Sequence, residues 1–236
     1  MKNCFILLAI GLSLMFTNAA FATNYNRYGV GARLQLSNWK GDNNGSSQDY
    51  NANATQLAVS FHYQFKRFYS GLSLQSGSFS FTNGVPEMNS KTTSTTPTND
   101  SATIERGEAD LLAGYYFWSH VSLFLDAKSI TNTWRDLNYN AKYTGLGIGV
   151  SGFVPLPNNW TFYASFGIIP LKVSADGDNI GDGSGSTLEL GMTYAVNKHH
   201  NLGIGIKSQS QSYNFDNDHK QKQSLGGLTL AYNFNF

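Results

Sequence analysis

Cysteine is nearly missing from this chain. The one present, Cys4, falls in a stretch that reads as a leader. A secreted chain without disulfides must draw its stability from elsewhere. No cysteine stands at the expected cleavage site, so lipid attachment there is not indicated. No eighteen-residue apolar run occurs either, which excludes a helical membrane span. Neither sign of charge is in excess. Without Lys2, fifteen Lys and Arg face fifteen Asp and Glu. A nucleic-acid binder would show a basic surplus. Glycine-rich phosphate loops are also lacking: the Gly-x-Gly pairs sit inside strand-like stretches, where glycine serves packing.

What is present begins with a leader. Met1 and Lys2 form a short basic start, and residues 5–16 (FILLAIGLSLMF) an apolar core. Ala20-Phe21-Ala22 supplies the small-x-small pattern of a cleavage site. Residues 1–22 therefore read as a secretory signal peptide, with the mature chain starting near Thr23. That leaves residues 23–236 as one domain. The mean hydropathy of −0.29 is mildly polar. Sequences in which only alternate residues are apolar have this average.

Ten stretches alternate with the two-residue period of a strand. They lie at about 28–39, 55–65, 68–79, 103–117, 121–130, 142–154, 160–171, 187–196, 202–213 and 224–236. On the first, Tyr28, Val30, Ala32, Leu34 and Leu36 share one face and Arg33 lies on the other. Most have the nine to eleven residues that a tilted strand needs to cross a bilayer. The connections alternate in length. Those at 66–67, 118–120, 155–159 and 197–201 are short; those at 40–54, 82–102, 131–141, 172–186 and 214–223 are long and polar. Short turns on one side and long loops on the other are a mark of transmembrane barrels. The loop at 82–102, rich in Thr, Ser and Asn with Pro86 and Pro97, has the composition of a mobile segment. The aromatics sort into two expected girdles. Phe65, Phe68, Tyr115, Phe117, Trp118, Trp160, Tyr194, Phe234 and Phe236 form the girdle at the short turns. Trp39, Phe79, Phe81, Trp134, Tyr143 and Tyr213 form the one near the long loops.

The last nine residues, LTLAYNFNF, set large apolar side chains at every second position and finish on Phe236. This ending resembles the closing strand of Gram-negative outer-membrane β-barrels. The whole mature chain resembles small barrels of that kind, the opacity-like and related barrel-domain families. The resemblance implies an all-β, up-and-down antiparallel barrel of about ten strands (alternatively eight), both termini periplasmic, in the cell outer membrane. It further implies that Tyr232, Phe234 and Phe236 act as a C-terminal signal for the outer-membrane assembly machinery. The expected partners are outer-membrane lipid, that machinery, and extracellular or host ligands held by the loops. A monomer is expected, with no cofactor.

If the oily faces meet lipid, the strand charges point inward. They are Arg33, Arg106, Lys128 and Lys207 against Glu108, Asp110, Asp126 and Glu189. Four against four suits a charge-paired lumen, because unpaired charge in a narrow interior is costly. The glycine column Gly145, Gly147, Gly149 leaves room nearby for water or bulky neighbours. The histidines His62, His120, His199, His200 and His219 are scattered, and none pairs by topology with a serine or cysteine nucleophile. The run Asp176-Gly177-Asp178-Asn179-Ile180-Gly181-Asp182 looks like part of a calcium loop. It fails at Ile180 and at Thr187, where ligands belong, and reads as a flexible acidic turn. Asp216-Asn217-Asp218-His219 shares residue types with the outer-membrane aspartyl-type proteases (omptins), but the Asp-x-His pair of that family is missing. No catalytic or metal residues are assigned. The expected role is structural or surface-interacting. A narrow channel for ions or small solutes is the alternative, and an outer-membrane enzyme acting on lipid or peptide comes third.

Overall fold

The computed structural model describes residues 27–43, 49–90, 94–95, 101–137 and 139–236. The expected leader and its expected cleavage residues Ala20, Ala22 and Thr23 lie outside them. In chain order the strands are β1 (Arg27–Asn43), β2 (Asp49–Phe65), β3 (Phe68–Phe81), β4 (Met88–Asn89), β5 (Ser94–Thr95) and β6 (Ala102–Tyr116). They continue with β7 (Val121–Trp134), β8 (Tyr139–Pro155), β9 (Trp160–Ala175), β10 (Asp178–Ala195), β11 (His200–Phe215) and β12 (Lys220–Asn235). The two-residue strands β4 and β5 form a small ribbon by themselves. The other ten close into one antiparallel barrel in the order β1-β12-β11-β10-β9-β8-β7-β6-β3-β2. Closure removes the unpaired edges that a sheet would otherwise expose.

The seam runs from Gly29 opposite Asn235 to Asn43 opposite Gln221. The terminal residue is stitched on as well, Phe236 N–H donating to the Tyr28 carbonyl over 2.8 Å. At one end, the turn end, the strands are joined by short connections. Lys66, Asn158 and Asn159 adopt positive φ there, and asparagine tolerates that region better than most residues.

At the other end, the loop end, the strands run further than alternation of oily residues suggests. The expected acidic loop at 172–186 is instead a continuous hairpin. Ala175 pairs with Asp178 across a two-residue turn, Asp176-Gly177, with φ of 48° and 96°. Asp-Gly with both residues left-handed is the preferred tight hairpin turn. Part of the long loop after β3 also folds back rather than swinging free. Gly84, Val85, Pro86, Glu87 and Asn89 are buried. Asn43 Nδ2 donates to the Val85 carbonyl at 3.0 Å, and Tyr139 Oη donates to the Asn89 carbonyl at 2.7 Å. This segment caps the loop end of the barrel.

The outer face of the barrel changes character halfway up. One residue per strand marks the top of an apolar band: Leu36, Leu57, Leu74, Leu111, Leu125, Leu146, Ile168, Leu188, Ile206 and Leu228. Each is more than 40% exposed. Beyond that line the outward positions become Asn38 and Lys40 on β1, Ser76 and Ser78 on β3, Ser129 and Thr131 on β7, Ser208 and Ser210 on β11. The inward face changes in the opposite sense. Its buried apolar cluster includes Trp39, Tyr50, Phe79, Phe81, Ile104, Ile130, Trp134, Tyr143, Leu171, Val173 and Tyr213, all in the loop-end half. The expected upper girdle is thereby corrected. Trp39, Phe79, Phe81, Trp134, Tyr143 and Tyr213 do not ring the outside; they point in and pack on one another. Trp39 lies edge-on to Phe79 at 5.1 Å and to Phe81 at 5.4 Å, and Tyr143 meets Tyr213 at 4.6 Å. Such aromatic contacts add to the burial that draws these side chains inward. The turn-end aromatics do face outward: Phe65, Phe68, Tyr115, Trp118, Trp160 and Phe236 are all exposed.

Candidate functional site: the closed lumen

The interior divides into three levels. At the turn end it is a vestibule of about 340 Å³ with a mixed lining, in which Arg33, His62, Asp110, Asp126 and Glu189 stand among apolar side chains such as Leu112 and Phe124. Glycines make room for its larger side chains. A Cβ on Gly29 would fall 2.1 Å from the His62 ring, one on Gly114 2.2 Å from Tyr69, and one on Gly191 2.5 Å from the Tyr163 hydroxyl. The β8 column works the same way. Gly149 accepts the Phe124 ring, and a Cβ on Gly147 would meet the Ile168 carbonyl at 2.6 Å. The room left by these glycines is filled by bulky neighbours. Small polar groups bond around the vestibule wall: Tyr69 Oη lies 2.8 Å from Ser122 Oγ, and Ser122 Oγ lies 2.7 Å from Ser151 Oγ. His62 Nε2 meets Asn235 Oδ1 at 3.0 Å, tying the last strand to β2 across β1.

The middle level is ionic. Glu108 on β6 is its centre, with its side chain 1% exposed. Glu108 Oε1 accepts from Lys128 Nζ at 2.8 Å, Lys207 Nζ at 3.3 Å and Gln209 Nε2 at 2.8 Å. Arg106 Nη2 stands 3.7 Å from Glu108 Oε2. In a ring of ten strands, β6 and β11 are five places apart. The Lys207 and Gln209 contacts with Glu108 therefore run straight across the barrel and bar the lumen. Lys128 also contacts Asp110 and lies 3.9 Å from Asp126. Arg33 stands slightly apart, 3.8 Å from Glu189, and donates to Gln75 Oε1 at 2.9 Å.

Exposure sorts these charges by depth. Arg33, Asp110, Asp126 and Glu189 keep 19–22% of their side chains exposed, whereas Arg106, Glu108, Lys128 and Lys207 keep 1–6%. The first four open on the vestibule; the second four are buried, with Lys128 and Lys207 at its inner edge. The cost of stripping water from the buried set is met only by close pairing with good hydrogen bonds. Glu108 Oε1, between two ammonium groups and an amide, fits that requirement, whereas Oε2 has only the Arg106 guanidinium at 3.7 Å and no hydrogen bond.

The upper level begins with glutamines that the charge count overlooked. Gln223 Nε2 donates to Gln211 Oε1 at 2.6 Å, Trp39 Nε1 donates to Gln223 Oε1 at 2.9 Å, and Ser37 Oγ donates to Gln56 Oε1 at 2.7 Å. Gln35, Gln56, Gln75, Gln209, Gln211 and Gln223 are all buried. Their signal was available in the sequence. Gln209 and Gln211 follow Lys207 at every second residue, and Gln35 follows Arg33. Above them comes the aromatic core. The Arg106 guanidinium lies 5.1 Å from the Trp39 ring centroid and couples the ionic level to that core.

The eight charged residues singled out in the sequence thus fall in one region of the lumen. The remaining candidates do not converge on a site. His199 Nδ1 donates to the Asn235 carbonyl at 2.8 Å, and His200 Nδ1 lies 2.6 Å from the Tyr232 hydroxyl. Asp216 and Asp218 project into solvent from the β11–β12 turn. His219, in the same turn, lies 3.4 Å from Glu87 in the capping segment. Among the described residues, no three His, Cys, Asp or Glu side chains gather closely enough to hold a metal ion.

Among solved structures the chain is similar to the outer membrane protease OmpT from Escherichia coli. The TM-score is 0.56 at 12% identity, covering 93% of this chain and 99% of that one. It is also similar to the beta domain of the Bordetella autotransporter BrkA (TM-score 0.48, 10% identity, 89% and 98% covered). The translocator domain of the autotransporter NalP from Neisseria meningitidis is a third (TM-score 0.46, 10% identity, 100% and 95% covered). No family model matches the sequence, and no curated protein matches it. The likeness to OmpT carries the closed-barrel fold and not an activity.

Proposed function

We propose that this chain is a Gram-negative outer-membrane barrel whose lumen is closed, and that it acts through its surface and loops rather than as a conduit or an enzyme. The apolar band supports the membrane placement. A continuous belt of exposed Leu, Ile, Val and Phe around the whole circumference is far larger than the apolar patches water tolerates. About nine residues per strand at roughly 3.3 Å each, tilted by about 40°, give a band roughly 23 Å tall, close to the ~25 Å belt of outer-membrane barrels. On this reading the turn end faces the periplasm, together with both ends of the mature chain. The polar half and its loops then stand outside the cell. Tyr232, Phe234 and Phe236 serve as the recognition end for the assembly machinery, and the barrel is a monomer.

The observation that carries the closed reading is the contact of Glu108 with Lys207 and Gln209 on the opposite wall. The aromatic core and the cap of residues 84–90 lie above it. A ten-stranded barrel is narrow enough for its side chains to fill most of the interior. The vestibule below admits water and small solutes from one side only. What remains for function is the loop end: a rigid, hydroxyl-rich outer wall carrying the connections, suited to surface interaction. Planar-bilayer recording on the refolded full chain tests this. The wild type is expected to show no sustained conductance steps. Large, steady openings would replace the closed reading with a channel.

A further inference from the structure

On the outer wall, within the apolar band, lies a groove of about 630 Å³ that the lumen does not account for. Its floor is made of two small residues, Ser70 and Ala113, opposite each other on β3 and β6. Larger side chains surround them. Phe68 and Tyr115 are the next pair toward the turn end; Tyr63 flanks Ser70 on β2, and Leu125 flanks Ala113 on β7. A dent in an apolar wall forfeits dispersion contacts unless something fills it.

The turn bordering this groove is Lys66-Arg67, which joins Phe65 to Phe68, and both basic residues are exposed. Lys66 Nζ lies 5.2 Å from the Phe65 ring centroid, at the rim of the groove. Side-chain charge at this end of the barrel is one-sided. The segments 27–36, 55–74, 111–125, 146–171, 190–206 and 226–236 contain no Asp or Glu, whereas Arg27, Lys66, Arg67 and Lys198 all fall within them. Among the described residues the side-chain carboxylates gather at mid-lumen and at the loop end. An apolar trough with a basic lip, opening on a basic rim, matches one kind of molecule: an amphiphile with a long hydrocarbon tail and an anionic head.

We propose that this groove binds an anionic phospholipid. One acyl chain lies over Ser70 and Ala113, and the phosphate rests against Lys66 and Arg67. This rests on the reading of the apolar band as embedded in a bilayer. Basic side chains beside an anionic headgroup each strengthen binding appreciably, and two of them set a preference of about tenfold over a zwitterionic lipid.

The test uses the full mature chain refolded into vesicles of equimolar phosphatidylcholine and phosphatidylglycerol, then extracted in mild detergent. Native mass spectrometry counts the lipids that stay bound, and gel mobility before and after heating reports folding. Wild type should retain phosphatidylglycerol over phosphatidylcholine by about tenfold. Lys66→Asn combined with Arg67→Gln should bring that ratio close to one; asparagine suits the positive φ at position 66. Ala113→Leu should fill the floor and release lipid of both kinds, with Ser70→Leu as the second filler should the first not fold. Lys198→Gln, on another turn, should leave the ratio unchanged. Equal retention of both lipids by wild type would overturn the proposal. So would the same loss in Lys198→Gln as in the double variant, since the rim as a whole would then be attracting lipid. A wild-type chain that does not enter vesicles at all would overturn the membrane reading itself, a separate and recognisable result.

Discussion

On β1, Leu34 and Leu36 face outward while Arg33 points into the lumen; a few residues further on, Trp39 points inward and Lys40 outward. The same reversal recurs around the barrel. In the turn-end half the outside is apolar and the inside holds the vestibule and charged side chains. In the loop-end half the outside is Ser, Thr, Asn and Lys, and the inside is a packed aromatic core. On the proposed membrane placement, one continuous sheet serves two solvents, and each half buries apolar surface where its surroundings reward it, in hydrocarbon below and in its own interior above. The ionic level around Glu108 sits where the two regimes meet. On that reading the loop-end half is a soluble-type barrel set on top of a transmembrane one, and its packed interior closes the lumen.

The comparison breaks most visibly at its core. Trp39→Ala should cost about 3–5 kcal/mol, as deletion of large buried aromatics does, measured by urea unfolding in lipid vesicles. Removing an outward aromatic such as Trp160, 37% exposed, should cost distinctly less. Equal losses would mean that the loop-end interior is not packed.

At the junction, dry and wet charges should separate. Glu108→Ala strands Lys207 and Arg106 in a buried site and leaves Lys128 only Asp110 and Asp126, and breaking a buried pair in this way costs about 3–5 kcal/mol. Asp126→Ala removes a carboxylate that is 19% exposed and 3.9 Å from Lys128, an ammonium that keeps Glu108 and Asp110. Its cost should stay under about 1 kcal/mol. Stability curves of the two variants decide it; a reversed order would place the seal elsewhere.

The outer wall offers a matched pair with a smaller effect. Ile148→Arg puts a cation in the apolar band and should cost about 2–4 kcal/mol. Ser210→Arg makes the comparable change on the loop-end wall and should stay within about 0.5 kcal/mol. Similar losses for the two would erase the boundary between the halves.

Much of this was legible in the sequence, and the part that was not has a specific cause. Alternation of oily residues marks the turn-end half of each strand, so strand number, turn positions and the inward charges follow from it. In the loop-end half the alternation continues with its polarity exchanged. A run such as Lys172, Val173, Ser174 and Ala175, polar side chains outward and apolar ones buried, then looks like loop. The phase of the pattern still held the answer. Trp39 is out of step with Leu34 and Leu36, Trp134 with Leu123 and Leu125, and Tyr213 with Ile204 and Ile206. Counting residues by parity would have turned all three inward. The Asp176-Gly177 hairpin was visible too, had turn chemistry been weighed before the calcium pattern. The cross-lumen partners of Glu108 were not readable, because which strand lies opposite depends on closure of the ring. Nor did composition foretell that residues 84–90 would pack into the mouth; that depends on Asn43 and Tyr139, far off in sequence.

The reversal itself can be tested with the protein's own four tryptophans, since Trp118 and Trp160 belong to the outward set and Trp39 and Trp134 to the inward one. Single-tryptophan variants, the other three replaced by Phe, would be refolded into vesicles with brominated acyl chains and titrated with aqueous iodide. Trp160 should be quenched by the brominated lipid, and Trp39 should be shielded from both lipid and iodide. Quenching of Trp39 by brominated lipid would put it on the outer wall and contradict the two-solvent account, and quenching by iodide would mean the loop-end lumen is open.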